Sequence, residues 1–143
     1  MSYAILKTMK DDARLPVFER VDCIQVCVPS LDEGLKFYRD ALDLKLLWRT
    51  AKACGLGMQE GITEFVITTE DNLMVDMKVA DVEQAAKVIT RAGGIIEEGP
   101  FDIDIGKCAV IADPWGNRYC ILDTTKGTYD TGADGTVSGV SQK

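Results

Sequence analysis

Residues 21–38, VDCIQVCVPSLDEGLKFY, hold the pattern that decides the fold. Val21, Ile24, Val26 and Val28 fall largely on one side, with Cys23, Gln25 and Cys27 on the other, which is the alternation of a strand. Pro29 stops that strand, and Ser30 followed three residues later by Glu33 forms a capping box. Behind the cap, Leu31, Leu35, Tyr38 and Leu42 recur at helical spacing and predict a helix over residues 31–42. Short strand-like pieces follow at 45–50, 54–58 and 62–69, with Gly55, Gly57 and Gly61 punctuating the turns. The order is β-α-β-β-β.

The same order restarts at Leu73. Val75, Met77 and Val79 alternate against Met74, Asp76 and Lys78, and Asp81 stands as an N-cap with Gln84 three residues on. The second helix turns Val82, Ala85, Ile89 and Ala92 inward and ends at Gly93-Gly94, where glycine accepts the left-handed cap conformation. Strands are expected at 95–98, 105–111 and 118–123, with a longer loop over 100–107. One constant offset carries Cys23 to Met74, Gln25 to Asp76, Val28 to Val79 and Ser30 to Asp81, so the chain is a repeat. The turns at Gly61 and Gly116 break that offset and leave the alignment of the last strands open by a residue.

The fold class that follows is α+β: two tandem βαβββ modules, 20–70 and 71–123, whose curved mixed sheets enclose a shared cavity. An N-terminal extension, 1–19, would be an edge strand, an arm across a partner subunit or a loose tail. Residues 124–143 are rich in Gly, Thr, Ser and Asp with almost no large apolar side chain, and composition predicts a mobile C-terminal tail.

The whole chain has 143 residues, 46% hydrophobic and 27% charged, as expected of one globular domain. Its apolar runs are broken by charge long before the roughly 20 residues of a membrane span. Residues 1–10 lack a secretory pattern, so a cytoplasmic protein is expected. The five cysteines are odd in number and mostly sit in strand-like runs, which fits small buried thiols in a reducing compartment. A formal charge of −7 without a basic cluster argues against nucleic acid as a partner. With no histidine, ordinary Cys-His and Ser-His couples are excluded.

With these residues in view, the chain resembles the vicinal oxygen chelate superfamily, which includes glyoxalase I, bleomycin-resistance proteins, fosfomycin-resistance enzymes and extradiol dioxygenases. The likeness covers residues 21–123. It rests on VDCIQV at 21–26, KFY at 36–38 followed by LDLK at 42–45, and DPWGN at 113–117 leading into the last strand. The resemblance implies paired modules around one cavity, often in a homodimer. Metal-dependent members place His and Glu ligands on the first and last strand of each module. Those positions map onto Cys23, Glu64, Met74 and Cys120, with Phe65 the alternative to Glu64 if the turn glycines are aligned. Hard Lewis-acid and oxygen-activating ions want imidazole and carboxylate, so no metal cofactor is expected here. Two thiols and a thioether would suit only a soft ion such as Cu(I) or Zn, and buried Cys and Met are more often packing.

If Ile24, Val26, Val75 and Met77 pack on the helices, alternation turns Cys23, Gln25, Cys27, Met74, Asp76 and Lys78 to the concave side. Asp76 and Lys78 would bind ligand there or pair with each other at the rim. Trp48 would stack on a planar ligand or belong to the core, and Trp115 would cover a hydrophobic edge. The candidate ligand-binding set is therefore Cys23, Gln25, Trp48, Glu64, Met74, Asp76, Lys78 and Cys120. Two readings follow. One is a metal-free binding module of the bleomycin-resistance type, holding a small organic, aromatic or cationic molecule. The other is a lyase, isomerase or dioxygenase relative, using unusual metal ligands or Glu64 or Asp76 as a carboxylate base. A dimeric partner-binding platform is a third possibility.

Overall fold

The computed structural model describes residues 15–70 and 74–142. The first module is β1 (Arg20–Cys27), α1 (Leu31–Leu35) running on as a π-helical stretch (Lys36–Ala41), β2 (Lys45–Arg49), β3 (Ala53–Gly57) and β4 (Glu64–Thr68). The second is β5 (Met74–Lys78), α2 (Val82–Arg91), β6 (Ile95–Ile103), β7 (Gly106–Ala112) and β8 (Arg118–Leu122). The caps form as the sequence predicts: Ser30 Oγ accepts from the Glu33 amide at 3.1 Å and Asp81 Oδ1 from the Gln84 amide at 2.9 Å.

One eight-stranded sheet runs β2-β3-β4-β1-β5-β8-β7-β6. β1 lies parallel to β4, and β5 lies parallel to β8. The modules join where β1 and β5 run antiparallel, with Ile24 opposite Val75. Each helix closes a core against the convex face of its half. The first core centres on Val28, Leu31, Leu35, Cys54, Leu56 and Ile67, the second on Val79, Val82, Ala85, Ala109, Ile111 and Ile121. Alternation then puts the opposite side chains of the same strands on the concave face.

Local departures from the sequence reading have physical causes. α2 buries Ala86 with Val82 and Ala85, while Ala92, at its C-cap, is exposed. The loop expected over 100–107 is mostly strand: β6 continues to Ile103 and takes up its extra residues as register shifts between Ile96 and Glu98 and between Glu98 and Phe101. Trp115, expected to cover a hydrophobic edge, is instead 84% exposed among the described residues, carried outward on a turn that the Asp113 carboxylate knits to the amides of Trp115 and Asn117.

Residues 1–14 lie outside the described residues, so only the end of the N-terminal extension is placed. Val17 and Phe18 pack on the second core, and the Glu19 amide donates to the Lys78 carbonyl at 2.9 Å. Where composition suggests a mobile tail after residue 123, the chain instead forms a hairpin, β9 (Thr128–Thr131) with β10 (Val137–Ser141). Its docking is what composition conceals: the Arg49 amide donates to the Gly135 carbonyl at 2.8 Å, and the Tyr129 ring meets Trp48 with centroids 5.3 Å apart.

Candidate functional site

The concave face holds a cavity of about 540 Å³, within the range of small-molecule sites. Four neighbouring strands bring Glu64, Cys23, Asp76 and Cys120 abreast, since Cys23 pairs with Glu64 and with Asp76, and Asp76 with Cys120. Asp76 is only 5% exposed. Its Oδ2 accepts from Gln25 Nε2 at 2.8 Å and from the Cys23 thiol at 3.4 Å. Its Oδ1 is buried with no partner among the described residues. Burial pushes its carboxyl up from 3.8 to about 6, against the two hydrogen bonds that hold it down.

Glu64 is anchored differently: Trp48 Nε1 donates to its Oε1 at 2.6 Å. Burial again raises the carboxyl, and the indole N–H opposes that rise. The indole fits because Gly55 faces Trp48 on β3, where a Cβ would overlap the ring nitrogen. The Cys23 thiol is driven well above its usual range, first by burial and then by the Asp76 charge. Cys120 is held protonated by its hydrogen bond with Cys108 and by burial. Both thiols are thereby held towards their protonated forms.

Of the expected site residues, Cys23, Gln25, Trp48, Glu64, Asp76 and Cys120 line this cavity. Met74 and Lys78 do not. Met74 begins β5 beside Gln25, and Lys78, at the other end of that short strand, turns to Glu19, with Nζ to Oε1 at 2.6 Å. The expected pairing of Lys78 with Asp76 is therefore replaced by a rim ion pair. Arg20, Asp22 and Tyr129 line the cavity without having been singled out. A register shift between Val21 and Cys23 breaks strict alternation and brings Asp22 inward, where burial raises its carboxyl despite Arg20 nearby.

The strand register also corrects the implied ligand positions. Gln25 pairs with Val66 as Asp76 pairs with Cys120, and the repeat carries Gln25 to Asp76. The first-module counterpart of Cys120 is thus Val66, one residue past Phe65 and two past Glu64. Phe65 points the other way, packing on Tyr38 with centroids 4.8 Å apart. The family positions in this chain are Cys23, Val66, Met74 and Cys120, a set without a carboxylate or an imidazole. Among the described residues no three His, Cys, Asp or Glu side chains converge as a metal site. The donor set does not fit the divalent ions of metal-dependent relatives.

Two βαβββ modules joined edge to edge around a concave, partly acidic cavity define a paired-module cup of the vicinal oxygen chelate type. The chain belongs to the Glyoxalase/Bleomycin resistance protein/Dioxygenase superfamily, whose family model matches residues 20–121. It is 32% identical over 111 residues to an uncharacterized protein of Mycolicibacterium smegmatis, covering 74% of this chain and 95% of that one. Among solved structures it is similar to methylmalonyl-CoA epimerase from Mycobacterium tuberculosis, with a TM-score of 0.62, 12% identity, and 79% of this chain and 94% of that one covered. It is also similar to homoprotocatechuate 2,3-dioxygenase from Brevibacterium fuscum, with a TM-score of 0.58 and 22% identity, covering 81% of this chain but 40% of that one. At these identities the structural likenesses show the fold alone. No helix among the described residues is long and apolar enough to cross a membrane.

Proposed function

We propose that the chain binds a small organic molecule in the cavity between its modules without a metal ion, in the manner of the bleomycin-resistance branch of its superfamily. The observation that carries this is a ligand-sized cavity of about 540 Å³ lined by Asp76, a buried carboxylate whose Oδ1 has no partner among the described residues. An unpartnered buried acceptor costs on the order of 1–3 kcal/mol, which a ligand N–H or O–H donor would recover. Trp48, Tyr129, Ile103 and Ile105 supply the apolar walls against which the body of such a ligand rests. A homodimer and a cytoplasmic location remain part of this proposal.

The test is native mass spectrometry with elemental analysis on full-length protein purified without chelators. A retained organic mass, lost from Asp76→Asn, with metal far below one equivalent supports the reading. Near-stoichiometric metal in the active protein overturns it.

A second reading rests on the Asp76 carboxyl at about 6, close to the pH at which a general base works best. In that reading the bound molecule is a carbon acid, and Asp76 moves its proton in a metal-free isomerisation. Exchange of that proton in deuterated water, abolished by Asp76→Asn, separates this activity from simple binding.

A further inference from the structure

We infer that the β9–β10 hairpin is a cover across the mouth of the cavity, hinged at Gly127 and latched on β2, and that its closure holds the ligand. This deepens the binding reading above and rests on it. The hairpin lies beyond residues 20–121, the part that the family model matches, yet it supplies Thr128, Tyr129 and Thr131 to the cavity wall. Its strands pair with each other rather than within the eight-stranded sheet, which the hairpin meets at one bridge among the described residues, Arg49 to Thr136. A segment added to the family domain, standing apart from its sheet and still facing its cavity, is placed to act on what the cavity holds.

The two ends of the hairpin are fixed differently. At the stem the chain is bolted to the second module: Thr125 Oγ1 donates to the buried Asp123 carboxylate at 2.8 Å, and the Lys126 amide donates to the carbonyl of Ile105, in the β6–β7 turn, at 3.0 Å. Gly127 follows at a φ of 133°, where a Cβ would meet the Ser141 carbonyl, so the chain enters the hairpin through a residue that only glycine fills. At the tip the hairpin rests on the first module, where the Arg49 amide donates to the Gly135 carbonyl at 2.8 Å. β6 and β2 are the two edges of the sheet, and Ile103 of one and Trp48 of the other line the same cavity. A hairpin fixed beside one edge and resting on the other therefore spans the opening between them. Between stem and tip, Tyr129 sets its ring against Trp48. Surface hairpins of this kind open at a lower free energy than core strands, so the tip can leave β2 while the stem holds.

The latch can be loosened without touching the cavity, because Gly135 is not among its lining residues. Gly135 has a φ of 83°, which Gly135→Val strains with a β-branched side chain and Gly135→Asn tolerates. Calorimetry on the full chain at about pH 8 measures the affinity of two probes, benzylamine and benzyl alcohol, and hydrogen exchange with and without the tighter probe reads the hairpin. The bound probe is expected to slow exchange in β9 and β10 about tenfold or more. Gly135→Val is expected to weaken binding about tenfold as the closed fraction falls, with β1 and β5 still protected, and Gly135→Asn to bind as the unmodified chain does. A probe that binds without slowing exchange in the hairpin, or that binds Gly135→Val with unchanged affinity, overturns the cover and leaves the binding reading standing. If neither probe binds at up to about 10 mM, the binding reading falls and the cover falls with it.

Discussion

Replacing Asp76 by Asn is expected to stabilise the protein, and to do so only where Asp76 would be ionised. The side chain is 5% exposed, and its carboxyl is raised from 3.8 to about 6, chiefly because burial disfavours the charge. Between those two values the folded chain holds a proton that the unfolded chain has released. The Asp76 contribution is therefore favourable below about pH 4 and is lost as pH rises through about 6. At about 1.4 kcal/mol for each pH unit separating 3.8 from about 6, the penalty at neutral pH is about 3 kcal/mol. Asparagine has nearly the same shape, can still accept from Gln25 Nε2 through its carbonyl oxygen, and does not ionise. Urea denaturation followed by tryptophan emission at about pH 4.5, 6 and 8 should show the variant ahead by up to about 3 kcal/mol at the highest pH, with the gap closing towards the lowest. Glu64 and Asp22 are raised in the same direction and are common to both proteins, so they enter the difference only through the Asp22 charge that helps raise Asp76. A variant less stable at pH 8, or a gap that does not move with pH, would refute the reasoning.

Gly55→Ala sets a Cβ against the Trp48 indole nitrogen and should cost about 1–3 kcal/mol as overpacking, with a red shift of tryptophan emission as the bond to Glu64 breaks. Gly57→Ala, whose Cβ would meet only the flexible Leu47 side chain at 3.4 Å, is the control and should leave emission unchanged. Tyr129→Ala removes the ring against Trp48, worth about 1 kcal/mol, and should speed hydrogen exchange in β9 and β10 while β1 and β5 stay protected. Of the five free thiols, Cys27 is the exposed one, so titration of native protein with an aromatic disulfide should show one fast thiol, abolished by Cys27→Ser, and slow labelling of the rest.

The parts of this fold that were legible in sequence are those set by neighbours along the chain. Alternation in β1 and β5 assigned Val26 and Met77 to the two cores and Cys23, Gln25 and Asp76 to the cavity, and the Ser30 and Asp81 caps placed both helices, whereas Val75, expected to pack inward with them, is 39% exposed. What stayed hidden depends on partners far away in sequence. Lys78 lies on the expected face, yet its ion pair with Glu19 takes it to the rim. Asp22 enters the cavity through a register shift that periodicity cannot announce. Val66, not Glu64 or Phe65, answers to Cys120 because pairing with β1 fixes the register, and turn glycines do not. The hairpin eluded composition because Gly127 and Gly135, at positive φ of 133° and 83°, serve as turn residues in a segment held by Trp48 and Arg49.

The repeat also explains why one acid and one amide meet at the centre of the site. β1 and β5 meet antiparallel with Ile24 opposite Val75, residues at equivalent positions of the two modules, so the local twofold axis passes between them. Equivalent side chains just beyond that pair, Gln25 and Asp76, reach each other across the axis and hydrogen-bond at 2.8 Å. Two aspartates there would bring like charges together in a buried site, and two glutamines would leave no acid. One of each gives a carboxylate with Oδ2 engaged by the amide and the Cys23 thiol and Oδ1 buried without a partner among the described residues. Divergence of the two modules at that position turns a symmetric seam between strands into a site with a direction.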